Sequence, residues 1–404
     1  MKLPLSSNFF DCPPLTLADA SHLIDTAKAS ADELVQKAKL RDGPVTWKLV
    51  SDEAELQLYK GEAPSSSPPG STLYMGVLDV AATMDEVIAL FRTDSTADAK
   101  AFARRFNHGT VDAVDLYTVA RPSGREKVSV VWHAMATKAL LKPRDGCFLE
   151  CNRDVTVDGQ RAWVRSYTSI DLACCPPMLE SFVRMMSYGT GRLFVESKTR
   201  PGYITVSFVT HVDFCVGPKE WLMDAMGCRS FVSETVVAWR TRDLLLVDRF
   251  LREDRLSRSR FLTVQELVPQ SRRQKCHTCA KPFGPLRSKA NCFKCGQVLC
   301  RACTSTWHIV DHDGLRTKWR VCAPCTVRSP NSTARQCLSS TKGRVLGTVG
   351  QCLNKRGRTD ESSMSSDQSD SYVVDFIMDL DPPSRRWDQG QVVLFDPAEL
   401  IELD

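Results

Sequence analysis

The sequence has 404 residues, of which 43% are hydrophobic and 25% charged, a composition typical of globular proteins with two or three domains. It contains no run of about eighteen apolar residues and no basic start followed by an apolar core. We therefore expect no transmembrane helix or signal peptide and predict a cytoplasmic protein. The net charge of +5 is uneven, because residues 359–404 hold twelve acidic and two basic residues. A basic body with an acidic tail indicates an anionic partner.

Helix and strand patterns alternate in the first part of the chain. Residues 16–39 predict a helix, because apolar residues recur at steps of three and four after Thr16, a suitable N-cap. A shorter helix is predicted at 83–91, where Thr83 and Glu86 have the spacing of a capping box. The other elements predicted here are a strand at 47–59, a Ser/Pro loop at 63–71 and a strand at 73–80.

Residues 113–171 predict successive antiparallel strands, since they are rich in β-branched and aromatic residues. The sequence DGQ at 158–160 is typical of a hairpin turn between two of them. Two further strands, at 193–198 and 203–214, precede an amphipathic helix at 221–256. This order of elements predicts an α+β fold with an antiparallel sheet and a long C-terminal helix.

Four segments of this region resemble a known family by their order and spacing. They are WKLVSDEAELQLYKG at 47–61, TMDEVIALF at 83–91, KPRDGCFLE at 142–150 and TVSFVTHVDFCVGPKEWL at 205–222. Together they resemble a START-like domain of the helix-grip class. The resemblance implies a curved antiparallel sheet around a long helix, with an apolar tunnel for a lipid between them. A fully packed core is the alternative interpretation. Arg144 and Asp145 match a charged pair of the family motif, and a surface salt bridge explains them equally well.

Eight cysteines between residues 276 and 325 form four CxxC pairs, separated by twelve, four and eighteen residues. Thiolate sulfur is a preferred zinc ligand, and four such ligands close a tetrahedral structural site. The pairs therefore predict two structural zinc ions with no position open for a catalytic water. A thioredoxin-type redox relay is the rival, but no βαβ pattern surrounds the pairs. The nine other cysteines are predicted to be small buried hydrophobes.

Several residues around these pairs resemble a FYVE-type zinc finger over about residues 267–326. The features that carry the resemblance are the spacing of the first three CxxC pairs, which is twelve and then four residues, together with Phe283, Gly296 and the closing motif RVCAPC at 320–325. The resemblance implies a cross-braced arrangement. One zinc would be held by Cys276, Cys279, Cys300 and Cys303, and the other by Cys292, Cys295, Cys322 and Cys325. A RING-type ubiquitin ligase module is the alternative, although RING modules use a histidine ligand and no histidine falls on the ligand spacing here.

The FYVE resemblance also implies contact with phosphoinositide membranes. The family's WxxD motif is replaced by residues 267–270, and its RRHHCR motif by residues 288–293. The contact residues that remain are Pro285 and Leu286 in the membrane-inserting loop, with Lys289 and Arg320 as cations. Because a phosphomonoester needs several converging donors, these losses count against a specific 3-phosphate pocket.

Bulk charge still favours membrane association. Residues 268–330 hold twelve Lys/Arg and two Asp, which leaves a charge of about +6 once eight thiolates and two zinc ions are included. The sequence therefore predicts weak, salt-sensitive attraction to an anionic surface. Solvated surface charge is the alternative.

No GxSxG nucleophile motif or GxxxxGK[ST] loop is present, so we predict a non-enzymatic protein. No RNP motif or aromatic stacking pattern supports nucleic-acid binding. The predicted function is a lipid-binding adaptor or lipid-transfer protein that visits endosomal membranes and contacts lipid, membrane or protein partners. The predicted domains are an N-terminal helical segment at 1–44, a START-like domain at 45–256, a zinc finger at 267–327 and a disordered acidic tail at 330–404.

Overall fold

The first helix begins where the sequence predicts it. In this computed structural model, helix α1 spans Leu17–Lys37, and Thr16 and Asp19 form a reciprocal capping box at its start. Its buried face packs on one side of a large sheet, where Leu34 lies in the same cluster as Trp132. The structure describes residues 1–53, 55–62, 68, 70–106, 109–137, 142–215, 237, 240–310 and 316–327.

The large sheet has ten strands in the order β1-β2-β3-β10-β9-β7-β6-β5-β4, with β8 paired in parallel to β6 and all other pairs antiparallel. Its strands are β1 (Thr46–Glu53), β2 (Leu56–Glu62), β3 (Thr72–Ala81), β4 (Thr110–Ala120), β5 (Lys127–Met135), β6 (Arg144–Val157), β7 (Gln160–Ser169), β8 (Val183–Arg184), β9 (Met186–Glu196) and β10 (Tyr203–Asp213). The remaining helices of this region are α2 (Met84–Phe91), α3 (Thr96–Phe106) and α4 (Leu244–Ser257). The α+β class and the antiparallel sheet are therefore confirmed. Irregularities of register interrupt β1, β4, β7 and the β9–β10 pair, and such bulges bend a sheet.

The two faces of the sheet have different partners, because successive residues of a strand point to opposite faces. Along β7, Val164 belongs to the core under α1, whereas Trp163 belongs to a second core with residues of α2 and α4. Phe91 of α2 and Leu244 of α4 contribute to this second core and are fully buried. The face opposite α1 therefore carries α2 and α4.

Several predicted elements hold and others do not. The helix at 83–91 and the hairpin turn at 158–160 are confirmed, with Asp158 and Gly159 both at positive φ. The single strand predicted at 47–59 is wrong, since β1 and β2 pair there as a hairpin. Helix α3 was not predicted, although Ser95 and Asp98 hydrogen-bond reciprocally at its start. The helix at 221–256 is described only from α4 and a few preceding residues, and the tail at 330–404 lies outside the described residues.

The surface salt bridge considered for Arg144 and Asp145 is wrong, because both residues are buried and they do not pair with each other. Asp145 accepts two hydrogen bonds from Arg184, at 3.1 and 2.9 Å, and one from the indole of Trp132 at 3.0 Å. Arg144 donates to the backbone carbonyls of Phe214 and Cys215 at 2.9 and 3.0 Å. Both residues therefore hold the sheet together from inside.

The nine cysteines outside the CxxC pairs divide by burial. Cys147, Cys151 and Cys175 are buried, as predicted. Cys12, Cys174 and Cys215 are only half-buried, so the prediction is wrong for them, and Cys228, Cys337 and Cys352 lie outside the described residues. Burial raises the pKa of Cys12 to about 12 and that of Cys151 to about 11, so these two thiols stay protonated at neutral pH.

The zinc-finger segment is built from short elements. It contains the strand pairs β11 (Lys289–Asn291) with β12 (Val298–Cys300) and β13 (Thr304–Val310) with β14 (Arg316–Cys322), followed by helix α5 (Ala323–Thr326). Cysteines and a few apolar side chains, such as Leu299 and Val321, make up its core. Among the helices described anywhere in the chain, none is long and apolar enough to cross a bilayer.

Arg255, near the end of α4, joins the sheet domain to the finger. Its side chain is 4% exposed, and Nε and Nη2 each donate to Glu86 at 2.9 Å. Nη2 also donates to the carbonyl of Ala81 at 3.0 Å, and Nη1 to the carbonyl of Thr326 in α5 at 3.3 Å. Because Leu256 also belongs to the finger's core, the finger is docked on α4 by both a charged group and an apolar one.

We expect Arg255→Met to lower the free energy of unfolding of the full, zinc-loaded chain by about 2–3 kcal/mol, because Glu86 would keep a half-buried charge without its guanidinium. Urea titration followed by tryptophan fluorescence measures this change. Arg249→Met is the matched control, since Arg249 lies on the same helix, is 56% exposed and forms its one ion pair within the described part of the chain with Glu253. It should change stability by less than about 0.5 kcal/mol.

The same variant should alter the pH dependence of stability. Burial alone would raise the pKa of Glu86, but hydrogen bonds from Arg255 and Thr83 outweigh it and lower that pKa below its usual 4.5. The stabilisation is therefore complete above pH 4.5 and lost as the pH falls through the lowered pKa. The difference between the original chain and Arg255→Met should shrink over this range. A difference that stays constant down to pH 3 would contradict the role given to Glu86.

Candidate functional site

The eight cysteines of the CxxC pairs meet in two groups of four. Within each group the four Sγ atoms all lie within 4.8 Å of one another. One group is Cys276, Cys279, Cys300 and Cys303, and the other is Cys292, Cys295, Cys322 and Cys325. These are the two sets that the FYVE resemblance implies. The first and third CxxC pairs of the sequence form one set, and the second and fourth pairs form the other.

The sulfur–sulfur distances fit a tetrahedral zinc ion. A Zn–S distance of about 2.3 Å places the sulfurs of a regular tetrahedron about 3.8 Å apart. Cys279 and Cys300 are separated by 3.8 Å, and Cys295 and Cys322 by 3.9 Å. Backbone N–H groups also point at the sulfurs, from Cys300 to Cys276 at 3.4 Å and from Cys322 to Cys292 at 3.3 Å. Such donors stabilise thiolates, which zinc requires as ligands.

The first pair of each group adopts the same local turn. The N–H of Ala280 donates to the carbonyl of Cys276 at 2.9 Å, and the N–H of Gly296 donates to that of Cys292 at 2.8 Å. Each residue directly follows the second cysteine of its pair and has a left-handed backbone, with φ of +57° at Ala280 and +74° at Gly296. Glycine adopts this conformation without strain, whereas alanine does not.

The predicted membrane-contact residues lie on different parts of the finger. Leu286 is at the tip of a turn closed by a bridge between Gly284 and Arg287, and its side chain is fully exposed, at 103%. Pro285 beside it is exposed as well. Arg287 is directed back to the first sulfur group, with Nη1 3.9 Å from the sulfur of Cys279.

The two predicted phosphate-contact cations lie on separate strand pairs. Lys289 is on β11 and donates to the carbonyl of Gln270 at 2.8 Å, with its ammonium 5.4 Å from the ring centre of Phe283. Arg320 is on β14, opposite Thr306. Their contact with a headgroup stays a prediction.

A second candidate site is a cavity of about 150 Å³ in the sheet domain. It lies on the sheet face opposite α1, between strands β4 to β10 and helix α3. Its apolar wall includes Phe102 and Phe106 of α3 and Phe148, Phe208 and Val212 of the sheet. The polar wall consists of Thr93, Asp115, His133, Glu150, Arg165, Tyr167, Ser187, Thr190, Arg192, Thr210, Arg240 and Asp243.

Much of the charge in this wall is paired. Arg165 donates to Glu150 at 2.7 Å, and both residues are almost fully buried. Burial alone would raise the pKa of Glu150, but Arg165 and Lys127 outweigh it and lower that pKa. Lys127 lies 3.8 Å from Asp115, whose pKa burial raises.

His133 adds a neutral group to the same wall. Burial lowers its pKa to about 4, so its imidazole carries no charge at neutral pH. The ring lies 5.7 Å from the rings of both Phe148 and Tyr167. This part of the wall is therefore aromatic, with the guanidinium of Arg165 5.4 Å from the ring centre of Tyr167.

Sequence reasoning named none of these cavity residues. The charged members lie in strands whose other residues are apolar, as in the segments FLECNRDV and AWVRSYTSI. A lone charge on the inward face of such a strand is the signal that would have found Glu150 and Arg165. Phe102 and Phe106 follow the four-residue spacing of a helix face.

Comparisons with known proteins identify the finger. Residues 266–331 match the sequence profile of the FYVE zinc finger. The yeast "1-phosphatidylinositol 3-phosphate 5-kinase FAB1" (Saccharomyces cerevisiae) is 32% identical over 76 residues, which are 18% of this chain and 3% of that protein. "Lateral signaling target protein 2" of Caenorhabditis elegans is 32% identical over 65 residues, which are 16% of this chain and 10% of that protein. The chain thus matches only a small fraction of the length of either relative.

Two solved structures to which part of the chain is similar come from human proteins. The human StAR-related lipid transfer protein 5 covers 57% of this chain and 98% of its own, with 18% identity and a TM-score of 0.42. Human STARD10 covers 59% of this chain and 83% of its own, with 13% identity and a TM-score of 0.35. The FYVE resemblance named from the sequence therefore has a counterpart among known proteins.

Pairwise cysteine variants distinguish the cross-braced ligand sets from sequential ones. Cys276→Ser with Cys303→Ser removes two ligands of one cross-braced set, so this chain should retain one zinc ion. Cys276→Ser with Cys295→Ser removes one ligand from each set and should lower the zinc content of both. Elemental analysis of the purified full chain measures zinc per protein. Sequential pairing of neighbouring CxxC motifs would give the reverse pattern, and a chain without zinc before mutation would contradict the metal assignment.

Ala280→Gly should stabilise the finger by about 0.5–1 kcal/mol, because glycine relieves the left-handed strain at this position. Slower zinc loss to a chelator, or a higher thermal midpoint, measures the gain. Gly296→Ala is the matched opposite change. A methyl group there would lie 3.3 Å from both the carbonyl of Glu266 and the side chain of Leu262, so this variant should lose zinc faster. Faster loss in Ala280→Gly would refute the strain argument.

Proposed function

We propose that this protein is a non-enzymatic lipid-binding adaptor whose sheet domain holds a lipid and whose finger, carrying two structural zinc ions, attaches it peripherally to anionic membranes of the endosomal type. The observation that carries this proposal is the union, within one unit, of an internal cavity and a FYVE-type finger with an exposed apolar tip. Either feature alone is common. Together, on one docked pair of domains, they suit a protein that recognises lipid both inside itself and at a surface.

The tip of the finger has the chemistry for shallow membrane insertion. Leu286 is the most exposed large apolar side chain among the described residues. It is followed by the basic residues Arg287 and Lys289, and Lys281 and Arg272 on the same finger are exposed to solvent. An apolar side chain gains a few kcal/mol on leaving water, and each nearby basic residue adds about 1 kcal/mol at an anionic surface.

The comparisons support a phosphoinositide as the anionic lipid. The yeast relative, which matches 76 residues of this chain, is named for phosphatidylinositol 3-phosphate. Of the family's phosphate-contact residues, this chain keeps Lys289 and Arg320. With so few donors, we expect bulk negative charge to contribute most of the attraction and the 3-phosphate to add a smaller part.

Vesicle co-sedimentation of the full chain tests the proposal. The vesicles contain phosphatidylcholine alone, with phosphatidylserine, or with phosphatidylinositol 3-phosphate, each at low and high salt. We expect binding to both anionic compositions, weakened by salt. Leu286→Asp should reduce it at least about tenfold, since the variant loses apolar contact and adds repulsion.

Leu17→Asp is the matched control, because Leu17 is 92% exposed and lies on α1 in the sheet domain. It should leave vesicle binding unchanged. Equal loss in both variants would mean that the tip has no special role. No binding to any anionic vesicle would overturn the membrane half of the proposal and leave the finger as a protein-contact module.

The RING-type alternative predicts a different activity. A ubiquitin ligase would stimulate ubiquitin transfer when mixed with activating and conjugating enzymes, and the adaptor proposed here would not. Chain formation that depends on the eight cysteines would replace the adaptor proposal by the ligase.

A further inference from the structure

Polar atoms without partners concentrate in the wall of the cavity. Nine buried side-chain nitrogen or oxygen atoms among the described residues have no hydrogen-bond partner, and four of them belong to residues that line this cavity. The four atoms are Asp115 Oδ2, Arg192 Nε, Thr210 Oγ1 and Arg240 Nε. A buried polar group without a partner costs about 1–3 kcal/mol, so a cluster of them indicates a polar ligand group or ordered water at the site.

Arg192 is the strongest of these unsatisfied groups. It lies on β9 directly opposite Arg165 on β7, so the two guanidinium groups share one face at neighbouring positions. Arg165 has Glu150 as its counter-charge, but Arg192 forms no ion pair with any residue that the structure describes. Its guanidinium lies 4.1 Å over the ring of Phe208, a contact that compensates a buried charge only in part.

Two guanidinium groups in the wall favour an anion. The charges of Arg165 and Lys127 are matched by Glu150 and Asp115, respectively. Arg192 and Arg240 remain, and burial lowers the pKa of each to about 10. Asp243 attracts both. Arg192 and Arg240 are thus the guanidinium groups of the wall for which no ion pair is found among the described residues.

The neighbouring groups could complete a site for an acidic oxygen. Thr210 on β10 lies on the same face as Phe208, which is the cross-strand partner of Arg192. Its hydroxyl is buried, has no partner and can donate to an oxygen beside the guanidinium. The aromatic rings of α3 stand across the cavity from these strands. A volume of about 150 Å³ holds an acidic head with a few carbon atoms, since a cavity of this size accommodates benzene.

We propose that Arg192, assisted by Thr210, binds the acidic group of an amphipathic ligand, a carboxylate or a phosphate, whose apolar body lies against the aromatic wall of the cavity. This inference rests on the proposed function, because it names the chemical class of the lipid that the sheet domain holds. A guanidinium donates two parallel hydrogen bonds to either acid. Its hydrogen bonds to a charged head are stronger than those to a neutral head.

Three probes that differ only at the head test the proposal, namely octanoate, octyl phosphate and 1-octanol. Isothermal titration of the full, zinc-loaded chain measures each affinity. We expect at least one of the two acids to bind about tenfold or more tightly than the alcohol, and the stronger acid identifies the head as carboxylate or phosphate. Arg192→Met should abolish this preference while leaving the affinity for 1-octanol unchanged. Thr210→Val should weaken the preferred acid about threefold.

Arg249→Met is the charge control, because it removes an exposed arginine outside the cavity. It should leave all three affinities unchanged. Arg192→Met should also melt at the same temperature as the original chain or higher when no ligand is present, since it removes an unpaired charge from the wall. A marked fall in that temperature would assign Arg192 a structural role and overturn the inference.

The remaining outcomes separate this inference from the proposed function. Equal binding of acids and alcohol would overturn the acidic class and leave lipid binding in place. Binding of the acids that survives Arg192→Met would place their site elsewhere and overturn the inference. No binding of the three probes, with none of the vesicle lipids extracted by the chain, would overturn lipid binding by the cavity and the inference with it.

Discussion

The sheet domain and the finger are joined by the hydrogen bonds of the Arg255 guanidinium. This group donates to the carboxylate of Glu86 in the capping box of α2, to the carbonyl of Ala81 at the end of β3 and to the carbonyl of Thr326 in the finger. A planar fork of donors can serve one carboxylate and two backbone carbonyls at once in a way that a lysine could not. Thr326 directly follows Cys325, a member of the second sulfur group, so the polypeptide that organises this group is held by the same side chain. The finger is therefore attached at its own structural centre, and its orientation is fixed by the sheet domain.

The sheet domain places two kinds of interior on one face. Next to α2 and α4 the face is filled by aromatic and aliphatic side chains such as Trp163, Phe194 and Leu251. Further along the same strands, charged side chains replace these apolar ones and line the open volume of the cavity. Charged groups keep their neighbours apart because each needs a partner of opposite charge or a polar ligand. Arg192, which has no ion pair among the described residues, therefore borders the open volume, whereas Arg165 and Glu150 pair with each other in the wall.

Sequence patterns predicted what depends on local chemistry. The caps at Thr16 and Thr83, the turn at Asp158 and Gly159 and the CxxC spacing all depend on residues a few positions apart, and the structure forms each of them. The hairpin at residues 46–62 was missed because its turn lacks the glycine or asparagine that favours a tight hairpin turn. The cavity was missed for another reason. Glu150, Arg165 and Arg192 come from three strands that meet only through the pairing of β6 with β7 and of β7 with β9, and no local pattern encodes that meeting.

Helix α4 links the two candidate sites directly. Asp243, the residue before its first turn, lines the cavity, while Arg252, Arg255 and Leu256 near its other end contact the finger. Fourteen residues span about 21 Å at the rise of an α-helix, so the length of α4 separates the cavity from the finger. A rigid helix transmits orientation rather than energy unless it has two arrangements of similar stability. The fixed contacts of Arg255 argue for one arrangement. A membrane bound at Leu286 would therefore hold the cavity at a constant distance and angle from the bilayer, which suits a domain that receives its ligand from that surface.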